Sequence, residues 1–105
     1  MTTPVRSRAD VLERIREAEA EIRGLGVRRL ALFGSFTRSE PRPDSDVDLL
    51  VEFAPGQKNF DRFTRLFDLL EERLARPVEL VTTEALSPYI GPHILAEAED
   101  VVRVA

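Results

Sequence analysis

The chain has no cysteine, which excludes disulfides and thiolate metal sites. It has no uninterrupted apolar run approaching the roughly 18–20 residues that a membrane-spanning helix needs. Residues 1–10 lack the apolar segment of a secretory leader, so a cytoplasmic protein is the expectation. Basic residues are in deficit: 15 Lys and Arg stand against 19 Asp and Glu, a formal charge of −4. No direct grip on DNA or RNA is therefore expected. Arginines gather at positions 6, 8, 14, 16, 23, 28 and 29 and acids at 17–21 and 97–100, and both read as solvated helix faces. A lone histidine, His93, in a proline- and glycine-rich setting reads as structural, and nothing assigns a role to the lone tyrosine, Tyr89. With 105 residues, 43% of them hydrophobic, the chain suffices for one core and not two, so a single domain over 1–105 is expected.

What is present is organised around residues 30–53. Leu30, Ala31, Leu32 and Phe33 are continuous and bulky and are closed by Gly34, the pattern of a short buried strand. Gly34-Ser35 then offers main-chain N–H groups at a turn with no Cβ in the way, a setting that suits an anion. Residues 37–40 have the polarity of a short helix, stopped by Pro41, and 41–45 form a turn that delivers Asp46 to a second strand over 47–53. In that strand Asp46 and Asp48 project from one face and Val47 from the other, with Cα atoms about 6.5–7 Å apart. Two bare charges at about 6 Å repel by about 2.8 kcal/mol at an effective dielectric of 20. Divalent cations would remove that penalty.

The flanking segments read as scaffold. Ser7 and Asp10 have the form of a capping box, so one helix should start there and carry Val11, Leu12, Ile15, Ala18, Ile22 and Leu25 on one face until Gly24 and Gly26 end it. Residues 54–59 form a turn. Phe60, Phe63, Phe67, Leu70 and Leu74 recur at three-then-four spacing, which predicts a helix over 60–76 with that stripe in the core. A third strand follows over 78–81, with Glu79 facing away from Val78 and Leu80. A last helix over 92–99, with Ile94, Leu95 and Ala98 inward, leads to an edge strand containing Val101, Val102 and Val104.

Gly34-Ser35, ten residues, then Asp46-Val47-Asp48 resembles the signature of the DNA polymerase β-like nucleotidyltransferase superfamily. In length and in the stretch GSFTRSEPRPDSDVDLLVEF the chain is most similar to the minimal nucleotidyltransferase domains, antitoxins often paired with HEPN-type RNase toxins. The resemblance covers about residue 27 to the end. It implies an α+β fold, a small mixed β-sheet with helices mainly on one face. It also implies transfer of AMP from ATP, with a two-ion magnesium site on Asp46 and Asp48, as hard carboxylate oxygens suit. Gly34, Ser35 and Arg38 would take the triphosphate. Arg38 matches an arginine common in these domains, although Ser39 stands where glycine usually follows. Where the family has a third aspartate this chain has Glu79, which keeps the charge, reaches about one methylene further, and is assigned a metal-sharing or proton-accepting role.

Because one domain leaves no room for a substrate-recognition domain, the resemblance implies an acceptor on a partner: a tyrosine hydroxyl of a HEPN-type toxin, in a possible hetero-oligomer. The alternative is a catalytically weak antitoxin that neutralises its partner by binding. Transfer to a small molecule fits the chain's size less well. A calcium loop on Asp44, Asp46 and Asp48 fails, because Leu49 stands where the turn glycine belongs and Pro55 where the bidentate glutamate belongs.

Overall fold

The computed structural model describes residues 3–37, 46–89 and 91–103. Ser7 caps helix α1 (Arg8–Glu17), its hydroxyl accepting the Asp10 amide at 3.2 Å. The Asp10 carboxylate accepts the Arg6 amide at 3.0 Å, so the reciprocal half of the cap is displaced by one residue from the usual box. The one helix expected here is two: Ala18, with φ −99° and ψ 6°, separates α1 from α2 (Glu19–Gly24). No glycine or proline marks the break; Ala18 is small and buried, and the chain bends there against the core.

Strand β1 (Val27–Phe33) begins earlier than the apolar run predicts, and β2 (Val47–Phe53) matches its expected span. Helix α3 (Phe60–Leu74) is capped by Asn59, which accepts the Arg62 amide at 2.7 Å. It leads to β3 (Val78–Thr82), then α4 (Gly91–Glu97) and β4 (Glu99–Arg103). The expected Val104 lies outside the described residues. The sheet order is β3-β2-β1-β4. β1 is antiparallel to both β2 and β4, while β2 and β3 are parallel, with α3 as the crossover that a parallel pair requires. The fold is thus the mixed-sheet α+β architecture that the resemblance implies.

Leu30, Leu32, Leu49 and Val51 face the main core, closed by residues of α1, α2 and α3 such as Ile15, Ile22 and Leu70. Ala31, Phe33 and Leu50 face the other side, where Leu86, Ile94 and Ala98 cover them. Three helices therefore lie on one face and the short α4 on the opposite one. Two expected inward residues point outward: Phe60 is 86% exposed and Leu95 44%. Helical side chains lean toward the N-terminus, so Phe60, at the first position of α3, overhangs the preceding turn instead of the core. Many of the arginines and acids are tied across elements, as in Arg8–Glu99, Arg29–Asp100 and Arg73–Glu21. Among the described residues no helix is long and apolar enough to cross a membrane.

Helix α3 stops two residues earlier than its pattern predicts, because Ala75 turns into the left-handed region at φ 54° while its amide caps Glu71. That conformation costs an L-residue about 1–2 kcal/mol and costs glycine almost none. Ala75→Gly should therefore raise the unfolding free energy by up to about 1 kcal/mol in urea titrations. An unchanged or lower midpoint would contradict this account of the helix end.

Candidate active site

The acidic strand places its side chains as alternation requires. Val47 is fully buried in the main core, Asp46 is exposed, and Asp48 is half-buried on the opposite face. Asp48 lies across from Phe33 on β1 and beside Glu79 on β3, since Asp48 and Glu79 are register partners of the parallel pair. In a parallel ladder such partners share a face, so the two carboxyls meet and form a hydrogen bond. Val47 donates its amide to the Pro77 carbonyl at 3.0 Å, which fixes this register at the residue between the two aspartates.

Gly34 closes the site from the other side. It begins the 3₁₀ turn Gly34–Thr37 with φ 75°, a conformation that favours glycine. A Cβ built there would overlap Oδ2 of Asp48 and stand 3.0 Å from its Cγ. The Thr37 hydroxyl donates to the Gly34 carbonyl at 2.6 Å and tightens the turn. The backbone of Ser35 lies within the turn. Arg38 lies outside the described residues.

Four carboxyls share this neighbourhood. Burial, then the hydrogen bond and charge of Glu79, then the charges of Asp46 and Glu97, push the Asp48 carboxyl up to about 6. The ion pairs of the described residues involve neither Asp46, Asp48 nor Glu79. Glu97 ends α4, whose Ile94, with Ala98 just beyond the helix, packs on the cluster of Ala31, Phe33 and Leu50. The sequence places it only within an acidic run. The available signal was its spacing from Ile94, which sets both toward one side of a helix.

Asp46, Asp48 and Glu79 are hard, anionic donors, and none of the three is in an ion pair among the described residues, a chemistry that suits magnesium. Yet among the described residues no three acidic or histidine side chains converge tightly enough to hold a metal by themselves. A metal at Asp46, Asp48 and Glu79 would therefore need ligands beyond these side chains.

A family model described as "Nucleotidyltransferase domain" matches residues 12–101. The chain belongs to the nucleotidyltransferase family. Within that family it is similar to protein adenylyltransferase MntA of Thermococcus cleftensis, 39% identical over 72 residues, 69% of this chain and 72% of the relative. A "putative protein adenylyltransferase" of Methanocaldococcus jannaschii is 42% identical over 77 residues, 73% of this chain and 82% of the relative. A solved "putative minimal nucleotidyltransferase" superposes with a TM-score of 0.69 at 35% identity, covering 84% of this chain and 93% of that one. Two more distant structures share the fold. A toxin–antitoxin with AMP-PNP has a TM-score of 0.64 at 18% identity, covering 92% of this chain and 73% of that one. The complex of a tri-AMPylated Shewanella oneidensis HEPN toxin with its MNT antitoxin has a TM-score of 0.56 at 19% identity, covering 85% and 72%. This nucleotidyltransferase is of the minimal, polymerase β-like kind, related to the MntA antitoxins.

Two outcomes follow from the packing of Gly34 and Asp48. Gly34→Ala combines a disfavoured φ with an overlap on Asp48, so it should lower stability by at least about 1–2 kcal/mol, read as a shifted urea midpoint. A variant as stable as the parent would show that the turn is not held against Asp48. Because Asp48 binds its proton more tightly folded than unfolded, its contribution to stability is full below about 4 and is lost as pH rises through about 6. In the ligand-free protein Asp48→Asn, whose amide can still donate to Glu79, should melt higher than the parent at pH 7.5. The difference should vanish near pH 4. A parent that melts higher at pH 7.5 would reverse the sign assigned here.

Proposed function

We propose that this nucleotidyltransferase transfers AMP from ATP, with magnesium, to a hydroxyl group of a partner protein. The acceptor is a tyrosine of a HEPN-type RNase toxin, and the chain acts as its antitoxin. The observation that carries the reading is the Asp48 carboxyl, pressed against Gly34 on one side and paired with Glu79 on the other, at the junction of the acidic strand and the glycine turn. Support for AMP and for a protein acceptor comes from the protein adenylyltransferase relatives, and for the kind of partner from the AMPylated toxin bound to its MNT antitoxin. Support for ATP comes from the AMP-PNP bound in a structure of the same fold.

In this reading Asp46 and Asp48 hold magnesium, with Glu79 sharing it or taking the acceptor proton. When bound, the metal supplies charge neutralisation at the phosphates and orientation of the attacking oxygen. The main-chain N–H groups at Gly34 and Ser35 receive the β- and γ-phosphates, and Arg38 is assigned to the triphosphate by the family resemblance alone. Glu79 accepts the proton as the acceptor oxygen bonds to the α-phosphorus. The bond to the β-phosphate oxygen breaks, and pyrophosphate leaves.

Glu79 in place of an aspartate, already bonded to Asp48, favours one competing reading, a weak enzyme that restrains its partner by occlusion. Incubation with labelled ATP, magnesium and the partner separates the two. Label should pass to the partner; Asp46→Ala and Asp48→Ala should each reduce transfer on the order of a hundredfold or more, and Glu79→Gln by about 10²-fold. Inhibition of the partner without label from the parent, retained by the Asp46→Ala/Asp48→Ala double variant, would establish occlusion instead.

A further inference from the structure

The Gly34–Thr37 turn is anchored by the residue that follows Ser35. Phe36 is fully buried in the main core although it sits in a surface turn beside a cluster of carboxyls. The guanidinium of Arg76 lies 5.2 Å from the centroid of its ring, within reach of a cation–π contact. Arg76 stands just past the left-handed Ala75, between α3 and β3, and is itself half-buried.

Three other bonds converge on this junction. Arg76 Nε donates to the Val5 carbonyl at 2.6 Å. The Val5 amide donates to the Leu74 carbonyl at 3.1 Å. Pro77, the next residue, accepts the Val47 amide at 3.0 Å between Asp46 and Asp48. Consecutive residues therefore grip both halves of the site: Arg76 holds the turn through Phe36, and Pro77 holds the acidic strand. Val5, fully buried, fixes the junction from the N-terminal side.

We propose that Arg76 is a positioning residue for nucleotide binding. Its cation–π contact with Phe36 and its bond to Val5 set the glycine turn at a fixed distance from Asp46 and Asp48. This rests on the reading that the turn receives the triphosphate. Arg76 acts through the ring of Phe36 and the carbonyl of Val5, so its loss weakens ATP binding while β2 keeps its register with β3.

The test measures the dissociation constant for ATP in excess magnesium by calorimetry, with KM for ATP and kcat where partner labelling is available. Arg76→Gln should raise the dissociation constant and KM about tenfold, with kcat changed less than twofold. Arg76→Lys, which keeps a cation for the ring without the guanidinium fork, should recover part of the loss. Phe36→Leu, which keeps the apolar volume and removes the ring but leaves the Arg76–Val5 bond, should raise the dissociation constant in the same direction and by no more than Arg76→Gln. The double variant should bind no more weakly than Arg76→Gln, because that change already removes the contact with the ring. Ser7→Ala, which removes the α1 cap and none of the bonds of the junction, serves as a control: it should lower the melting temperature without moving the dissociation constant. If the parent binds ATP and the folded Arg76→Gln, Arg76→Lys and Phe36→Leu proteins bind it equally well, the proposal is overturned. The same holds if the two losses add in full, or if the Ser7→Ala control weakens binding as much. Should Arg76→Gln fail to fold, Phe36→Leu and Arg76→Lys still decide the matter. A parent that binds no ATP overturns the triphosphate reading itself, a result distinct from equal binding by parent and variants.

Discussion

Like charges crowded at the end of two parallel strands are the constraint around which the rest of this structure is arranged. Asp48 and Glu79 meet because β2 and β3 run parallel in a register fixed by Val47 and Val78, and Asp46 and Glu97 add further negative charge. Burial and then the hydrogen bond and charge of Glu79, with the charges of Asp46 and Glu97, hold the Asp48 carboxyl above its ordinary range. The scaffold absorbs this cost by burying the apolar side chains on either side of the acids: Val47 and Leu49 in the main core and Leu50 on the opposite face. A strand anchored on both faces can carry destabilising groups at its tip because its position does not depend on them.

The glycine turn solves a matching problem. A peptide segment that must approach a carboxylate closely cannot carry a Cβ at the point of contact, and Gly34 meets that condition with a backbone angle that other residues avoid. Phe36 then returns the chain to the core immediately, so a turn of four residues meets Asp48 at Gly34 and is buried at Phe36. A helix crossover, a parallel strand pair and a glycine turn together build the candidate site, and each part is traceable to a handful of side chains.

Much of this was legible in the chain itself. The alternation of Asp46, Val47 and Asp48 gives strand, face and spacing at once, and Glu79 followed from an equally short apolar strand. The stop at Gly34 located the turn. What was hidden depended on tertiary packing. Glu97 belongs to an acidic run until α4 folds across Phe33 and Leu50. Phe36 and Arg76 lie far apart in sequence and become partners only when α3 has ended at Ala75, whose left-handed turn no glycine announced. The bend at Ala18 and the outward Phe60 fail for a related reason: periodicity says which residues share a stripe, not how far along the helix the core extends. Each of these misses reflects long-range packing overriding a local pattern.

The crossover that builds the parallel pair has a consequence for biosynthesis. Asp46 and Asp48 emerge from the ribosome well before Glu79, with the whole of α3 between them. A nascent chain halted inside that helix already contains the glycine turn and two acids, yet lacks the neighbouring strand that holds them in register. Competence is therefore gained late and nearly all at once, so a truncated translation product ending within α3 would have neither the third carboxyl nor the junction that spaces the turn.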